Sequence, residues 1–252
     1  GKSVHKAVYE IEKYGLEEAD KVVAVSGYTK SVIERHYGIN SDKIQVLHNG
    51  VDVEDSYTDP VVSERLANLK AKGTRIVLFV GRLTLQKGPD YFIRAARRVL
   101  EHRSNIVFVV AGSGDMERRL IEEAAWLGLS DKIIFAGFVR GAELWSLINS
   151  ADTVVMPSVS EPFGIVALEA LIHDTPVVIS KQSGVIETTT HMLKCDFWDI
   201  DEMADKIVAA LDHDVLKNHL VEYGKQDALA TSWAAAAEKC LAMYNNVIAF
   251  GT

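Results

Sequence analysis

Two glutamates, Glu161 and Glu169, frame the apolar stretch EPFGIVALEA and are the first residues of this chain whose spacing suggests chemistry. If a helix begins near Phe163 or Gly164, Glu161 lies just before its amino end and Glu169 lies about one and a half turns inside. An acid before a helix often only stabilises the helix dipole. Glu169 has apolar neighbours on both sides, so its carboxylate needs hydrogen-bond partners, which ligand hydroxyls would supply.

Two cations, Arg82 and Lys87, lie in the stretch GRLTLQKGPD, directly after a predicted strand. Gly81 ends that strand, and Gly88-Pro89 begins the next helix, because proline suits a first helical turn. Helix amino ends attract anions, so two cations beside one suit a diphosphate. Ordinary solvated charges explain the stretch equally well when it is taken alone.

A second glycine loop, AGSGDMERRL, follows the next predicted strand. Gly112 and Gly114 permit a tight turn there, and Asp115 is expected to cap the following helix. The loop resembles part of a dinucleotide-binding fingerprint but lacks the third glycine. A purely structural turn is therefore the favoured interpretation of this loop alone.

The third loop, AGFVRGAEL, could present backbone groups to a planar base. The stretch concerned is 137–140, which contains Phe138 and Val139, and Glu143 falls in the first turn of the next helix. A short structural loop explains this stretch nearly as well.

Continuous β-branched runs alternate with amphipathic segments through most of the chain. Such runs are typical of strands buried on both faces, and they lie at 74–81, 105–112, 132–137, 152–158 and 175–180. Helices are predicted near 88–102, 115–128, 141–150, 164–173 and 183–188, followed by terminal helices near 201–212, 214–228 and 231–247. The alternation predicts an α/β fold, a Rossmann-like doubly wound parallel sheet with extra terminal helices. Ligands bind outside the carboxyl ends of strands in such sheets, where these loops lie.

The first fifty residues predict a smaller unit. A strand is expected at 20–26, then a helix capped by Thr29, then a strand in KIQVLHNGVD that ends in the turn Asn49-Gly50. Residues 54–73 are polar at first and are predicted to be a linker. The predicted division is 1–53, linker 54–73 and a main domain 74–252.

Composition limits the function further. The formal charge is −8, which gives little electrostatic support to nucleic-acid binding. Cys195 and Cys240 belong to no disulfide or zinc pattern and are expected to be free thiols in a cytoplasmic protein. Structural roles are expected for four histidines that lack neighbours at metal-ligand or triad spacing, and these are His5, His48, His173 and His191.

Five motifs together resemble the retaining nucleotide-sugar glycosyltransferases of family four. EPFGIVALEA is similar to that family's E-x7-E motif, and GRLTLQKGPD to its G-R-L-x-x-x-K-G. AGSGDMERRL, IQVLHNGVD and EADKVVAVSGYTKSVI resemble three further motifs of the family, and all five occur in the family's order. The resemblance implies half of a GT-B fold: the carboxyl-terminal nucleotide-sugar domain, with residues 1–53 as the last part of the amino-terminal acceptor domain.

The resemblance also implies residue roles. Arg82 and Lys87 would hold the diphosphate, Glu161 would meet the donor sugar near its anomeric carbon, and Glu169 would bind the ribose. The catalytic set is then Glu161, Arg82 and Lys87. The remaining donor-binding residues would be Gly81, Gly112, Gly114, Phe138, Val139, Phe163, Gly164 and Ile165.

The implied chemistry needs no cofactor and no metal ion. Negative charge builds on the nucleoside diphosphate as the glycosidic bond breaks, and fixed cations with a helix dipole stabilise that charge. The family expectation is hexosyl transfer by internal return, with retention at the anomeric carbon. The implied partners are a nucleotide-sugar donor and an acceptor sugar or glycan, and the full-length protein is compatible with peripheral membrane association.

More than a hundred residues of the acceptor domain are expected to precede this sequence, so the chain is expected to bind donor but to transfer poorly or not at all. Its closing helix, which contains SWAAAAEKCLAMYNN, is expected to expose an apolar face or to bind another partner. A non-transferring sugar-nucleotide-binding or epimerase-like protein stays open as an alternative. A nicotinamide-dependent oxidoreductase is disfavoured, because the first strand is followed by Gly81-Arg82-Leu83 rather than G-x-G-x-x-G.

Overall fold

The computed structural model describes residues 2–52 and 57–250. Its main feature is a parallel sheet of six strands, which are β3 (Arg75–Val80), β4 (Ile106–Ala111), β5 (Ile133–Gly137), β6 (Thr153–Met156), β7 (Val177–Ser180) and β8 (Leu193–Cys195). Their order in the sheet is β5-β4-β3-β6-β7-β8. The predicted α/β doubly wound sheet is confirmed. The strand order reverses between β3 and β6, which makes their carboxyl ends the topological switch point.

Helices cover both faces of this sheet. They include α4 (Pro89–Leu100), α5 (Glu117–Trp126), α6 (Ala142–Ser150), α7 (Ile165–Ile172) and α8 (Ile200–Asp212). Outside this layer, α9 (Asp214–Leu229) packs on α7 and α8, and α10 (Trp233–Phe250) is the closing helix. One core holds Phe92, Leu120 and Ile207 from α4, α5 and α8, and the opposite core holds Ile148 and Leu168 from α6 and α7. Burial on two faces explains why the strands lack period-2 alternation.

A smaller amino-terminal unit precedes the sheet. It contains α1 (Lys2–Glu18), β1 (Val22–Ala24), α2 (Gly27–Tyr37) and β2 (Ile44–Val46), and β1 pairs with β2 in parallel. Its small core contains Val22, Ala24, Ile39 and Ile44. The end of the chain returns to this part of the molecule at Trp233. A Cβ added to Gly50 would lie 2.1 Å from the backbone nitrogen of Trp233. The first residue of α10 therefore packs directly on the Asn49-Gly50 turn.

The predicted linker, 54–73, contains a packed helix. Residues 54–56 of that prediction lie outside the described residues. From Pro60 to Ala71 the chain forms α3, which begins with Asp59 accepting hydrogen bonds from two amides of the first turn. Leu66 of α3 is buried in the core shared with α6 and α7. The division into domains stays a prediction, but α3 itself belongs to the layer that covers the main sheet.

Two cap predictions are wrong. Ser26, not Thr29, caps α2, because β1 ends early enough for the helix to begin at Gly27, and the Ser26 hydroxyl accepts from the Thr29 amide. Asp115 does not cap α5, because the preceding turn places Met116 at the cap position without a side-chain hydrogen bond. The helix predicted at 183–188 is a single 3-10 turn, Gly184–Glu187.

The closing helix α10 exposes apolar side chains, as predicted. Leu241, Tyr244 and Ile248 are exposed, and Ile248 retains 75% of its accessible surface. Met243 is the buried residue on the opposite side of that helix. No helix in the described part of the chain combines the length and the apolar character that a membrane crossing needs.

Candidate functional site

Glycines allow the loops after β3 and β4 to touch through their backbones. Gly112 has φ +150, and an added Cβ there would lie 1.9 Å from the Gly81 carbonyl oxygen. A Cβ on Gly114 would lie 2.4 Å from the Leu83 carbonyl oxygen. The Leu83 amide also donates to the Ser113 carbonyl at 3.0 Å. Loop packing thus explains Gly112 and Gly114 without a ligand, and their role in donor binding stays a prediction.

The loop after β3 also packs on the loop after β6, across the switch point. A Cβ on Gly88 would lie 2.3 Å from the Pro157 carbonyl oxygen. The Val159 amide donates to the Gln86 carbonyl at 2.9 Å, and the Gln86 side chain donates to the Ser160 carbonyl at 3.0 Å. These contacts bring GRLTLQKG beside EPFG.

An ion pair forms where these two loops meet. The Nζ atom of Lys87 lies 2.5 Å from Oε2 of Glu161, and the Ser158 hydroxyl donates to the same oxygen at 3.3 Å. The Glu161 side chain retains only 7% of its accessible surface, whereas Lys87 retains 23%. Removing such a pair from water costs free energy that their attraction need not recover, so its presence is weak evidence for stability. A site that needs both charges explains it better.

Arg82 lies on the same loop but behaves differently. Its side chain is exposed and forms no ion pair with any residue that the structure describes. An exposed guanidinium beside a second cation can bind a phosphate without breaking an ion pair.

The amino end of α7 opens toward this ion pair. Gly164 lies just before the first residue of the helix with φ +107, and within the described ranges no side chain caps the helix. A Cβ on Gly164 would lie 3.2 Å from Cγ of Glu161, so the turn brings Glu161 and the helix end together. Phe163 is buried and stacks on the His48 ring at 5.9 Å. An uncapped helix end with its amides and dipole is a ready anion site.

Glu169 lies further along α7 in a separate environment. Burial raises the pKa of its carboxyl, and the described residues give that carboxylate no hydrogen bond. It faces a pocket of about 290 Å³, lined by Val51, Asp52, Trp145, Ile165, Glu169, Ile172, His173 and Trp233. The role of Glu169 in ribose binding stays a prediction, and residues 51–52 and the first residue of α10 complete its pocket.

Phe138 and Val139 lie elsewhere. Phe138 retains 70% of its accessible surface, and both residues line a groove of about 480 Å³ between β5, α3 and α6. Among the described residues this groove shares no lining residue with the Glu169 pocket. The structure therefore brings Lys87, Glu161 and Gly164 together but does not bring the two base-facing candidates to Glu169.

Residues of the amino-terminal unit also contact the EPFG loop, which sequence reasoning missed. The hydroxyls of Ser26 and Thr29 both donate to the Pro162 carbonyl, at 2.6 and 3.1 Å. The Tyr28 hydroxyl lies 3.1 Å from the Ser160 hydroxyl. Motif spacing carried a partial signal, because Ser26 and Thr29 belong to the stretch AVSGYT.

The described residues form neither a metal-binding cluster nor an activated thiol. No cluster of at least three His, Cys, Asp or Glu side chains is arranged there to hold a metal ion. Both cysteines are free, and burial raises the pKa of the Cys195 thiol to about 12, which makes it a poor nucleophile.

The sequence matches two family models. Residues 63–227 match the model described as Glycosyl transferases group 1, which is more than half of the chain. Residues 2–55 match the model described as Glycosyltransferase Family 4.

Curated relatives are longer than this chain. An uncharacterized glycosyltransferase of Methanocaldococcus jannaschii is 36% identical over 249 residues, which cover 95% of this chain and 63% of the relative. D-inositol 3-phosphate glycosyltransferase of Corynebacterium diphtheriae is 30% identical over 249 residues, covering 93% and 58% respectively. The chain thus spans less than two thirds of both relatives.

Solved structures share the fold. Anabaena HepE, in a crystal structure in complex with UDP and glucose, superposes with TM-score 0.81 at 21% identity, covering 90% of this chain and 64% of HepE. Sucrose-phosphate synthase of Thermosynechococcus elongatus superposes with TM-score 0.80 at 25% identity, covering 97% and 62%.

Proposed function

This chain belongs to the glycosyltransferases of group 1 and has GT-B architecture, and from that premise we propose that it is the donor-binding part of a retaining hexosyltransferase. It binds a nucleoside-diphosphate sugar at the carboxyl ends of β3 and β6. The full-length protein transfers the sugar to an acceptor sugar or glycan with retention at the anomeric carbon.

The observation that carries this proposal is the Lys87–Glu161 ion pair beside the uncapped start of α7. A cation and a helix amino end suit a diphosphate, while a buried carboxylate at the same place suits sugar hydroxyls. A nucleoside-diphosphate sugar carries a diphosphate on its anomeric carbon and hydroxyls on nearby ring carbons, so it presents both groups close together. HepE, whose fold this chain shares, holds UDP and glucose together in its crystal structure.

Lys87 and Arg82 stabilise the leaving group. The Lys87 ammonium has three donors, so it can bond Glu161 and a phosphate oxygen at the same time. Arg82 adds a second cation from the same loop. As the bond from the anomeric carbon to the phosphate oxygen breaks, its electron pair moves onto the diphosphate, and preorganised cations lower the energy of that charge.

The two glutamates bind different parts of the donor. Glu161 accepts hydrogen bonds from sugar hydroxyls near the anomeric carbon. Glu169 accepts from the paired ribose hydroxyls, which supply the hydrogen bonds that its half-buried carboxylate lacks. Retention is supported by the family resemblance: the incoming hydroxyl attacks the anomeric carbon on the face that the diphosphate leaves, and its proton passes to the departing phosphate oxygen.

Calorimetric titration of the chain with UDP, GDP and ADP tests the proposal. We expect one of the three nucleotides to bind with a dissociation constant of about 1 mM or lower, the upper end of ordinary substrate affinities. Binding of none of them would overturn the donor-site assignment. A full-length protein that binds the nucleotide sugar but transfers nothing to any sugar acceptor would instead be a non-transferring binding protein.

A further inference from the structure

Glu187 is a carboxylate of the main domain that binds the amino-terminal unit. It ends the 3-10 turn after β7. Its Oε2 atom accepts from the Gly27 amide at 2.8 Å, and its Oε1 atom accepts from the Tyr28 amide at 2.9 Å. The Nε2 atom of His48 lies 3.1 Å from Oε2. We call these four residues the Glu187 cluster.

Glu187 acts as a cap for α2, although it lies outside the amino-terminal unit. Gly27 and Tyr28 are the first residues of α2, whose amides lack intrahelical partners. Burial alone would raise the pKa of the Glu187 carboxyl, but hydrogen bonds from Gly27, His48 and Tyr28 outweigh it and lower that pKa. The carboxylate form is thus the one that joins the two units.

The EPFG loop lies between the two elements that Glu187 joins. On the side of the 3-10 turn, the Gly184 amide donates to the Glu161 carbonyl at 3.0 Å, and the Val185 amide donates to the Phe163 carbonyl at 2.8 Å. On the side of α2, hydroxyls from Ser26 and Thr29 donate to the Pro162 carbonyl. Three successive carbonyls of the loop, 161–163, are therefore held by hydrogen bonds from both sides.

Close packing leaves this arrangement little freedom. A Cβ on Gly184 would lie 2.3 Å from the Pro162 carbonyl oxygen and 2.5 Å from Cβ of Ser26. The His48 ring adds a stacking contact on Phe163, next to the residue that begins α7. Separating α2 from the 3-10 turn would remove both hydrogen bonds to the Pro162 carbonyl, the middle one of the three.

We propose that Glu187 is a positioning residue for the donor site. By binding the start of α2 and His48, it ties the amino-terminal unit to the 3-10 turn and so fixes the loop that presents Glu161 and the α7 amides. The part of this inference that concerns the donor rests on the proposed function. The part that concerns the loop does not.

Hydrogen–deuterium exchange tests the loop directly. In Glu187→Gln the cluster loses its charge and one acceptor, and we expect amide exchange in the peptide 159–167 to accelerate about tenfold, as local opening becomes easier, while β3 stays protected. His48→Ala should act in the same direction with less damage to the fold. His48→Gln, which keeps a donor, should restore part of the protection.

Asp227→Asn is the matched control. Asp227 also binds a histidine ring, at 2.7 Å from His191 Nδ1, and its side chain is 32% exposed compared with 31% for Glu187. It lies on α9, and its partners are Thr189 and His191. The control should leave exchange at 159–167 unchanged. Unchanged exchange at 159–167 in both Glu187→Gln and His48→Ala would overturn the inference.

UDP titration of the same variants provides the second readout. We expect Glu187→Gln to bind UDP about fivefold more weakly or worse, the lower end of energetic coupling between sites, and Asp227→Asn to bind like the wild type. A wild type that binds UDP together with an equally tight Glu187→Gln would overturn the positioning role. A wild type that binds no nucleotide would defeat the proposed function, and exchange would still decide whether Glu187 holds the loop.

Discussion

The Nζ atom of Lys87 lies 2.5 Å from Oε2 of Glu161, although the two residues are 74 positions apart in the chain. Their loops leave β3 and β6, the two strands at which the sheet reverses its order. The ion pair therefore lies at the switch point, where ligands of doubly wound sheets bind. It places a cation beside a carboxylate, the two charges that we propose bind phosphate and sugar hydroxyls.

Loss of the Arg82 guanidinium should weaken nucleotide binding without harming the fold. Arg82→Ala removes an exposed cation, and we expect affinity for the best-binding nucleoside diphosphate to fall about tenfold, as for a charged hydrogen bond. Arg118→Ala is the control, because that side chain is 92% exposed on α5 and pairs only with its helix neighbour Glu122 among described residues. Calorimetry of both variants is the measurement, and equal affinities would contradict the role of Arg82.

Loss of the Glu161 carboxylate should change selectivity rather than diphosphate affinity. In Glu161→Ala, Lys87 loses its carboxylate partner, so we expect the bare diphosphate to bind as well as before or better. The intact sugar nucleotide should lose its hydroxyl contacts and its advantage over the diphosphate. The ratio of the two dissociation constants, measured by calorimetry, gives the answer. An unchanged ratio would show that Glu161 does not contact the sugar.

Replacement of Glu169 should improve stability while weakening binding. Burial raises the pKa of its carboxyl, because the charged form is less well solvated in the folded chain than in the unfolded chain. Above that pKa the charged carboxylate therefore lowers the stability of the fold. Glu169→Gln should therefore raise the urea midpoint at pH 7, and this gain should vanish below the unfolded pKa of about 4.5. Nucleotide affinity should fall, because an amide offers one uncharged acceptor oxygen where a carboxylate offers two charged ones. A variant that is both less stable and equally tight in binding would contradict this assignment.

Acid should weaken the contact between the two units through Glu187. The pKa of its carboxyl is lowered in the folded chain, so its stabilising contribution is present above the unfolded pKa of about 4.5 and is lost as pH falls through the folded pKa. We expect wild type and Glu187→Gln to differ in free energy of unfolding at pH 7, and that difference to shrink as pH falls below the unfolded pKa. Urea unfolding across this range is the measurement. A constant difference would mean that the charge of Glu187 is not involved.

Backbone contact between the loops after β3 and β4 should make Gly112 intolerant of a side chain. Gly112→Ala would drive Cβ into the Gly81 carbonyl, and we expect it to lower the free energy of unfolding by about 3 kcal/mol or more. Gly73→Ala is the matched control, with φ +76 and no described atom within 4 Å of the added Cβ. It should cost only about 1–2 kcal/mol, the price of left-handed backbone. Urea unfolding compares the two, and equal losses would argue against the loop contact.

The main sheet could be predicted because its strands are continuous apolar runs. β8 could not, since Leu193–Cys195 is a three-residue edge strand with Lys194 at its centre and offers no periodic signal. The helix α3 was hidden for a similar reason, because only Leu66 of it is fully buried. Short or weakly buried elements depend on tertiary packing, which local sequence does not encode.

The site could be predicted as a set of residues but not as a set of contacts. The sequence identified Lys87 and Glu161 separately, while their ion pair depends on how two distant loops cross. Glu187 escaped notice because its donors lie 139 to 160 positions away. The grouping of Phe138 and Val139 with Glu169 followed from shared strand ends, whereas in the structure they line two pockets that have no lining residue in common.

A crystal structure of the chain with its best-binding nucleoside diphosphate tests the central claim most directly. We expect a phosphate oxygen within about 3 Å of Lys87 Nζ, the usual length of a charged hydrogen bond, with the diphosphate facing the start of α7 and the ribose at Glu169. A nucleotide bound in the groove of Phe138 and Val139, with Lys87 still paired only to Glu161, would contradict it.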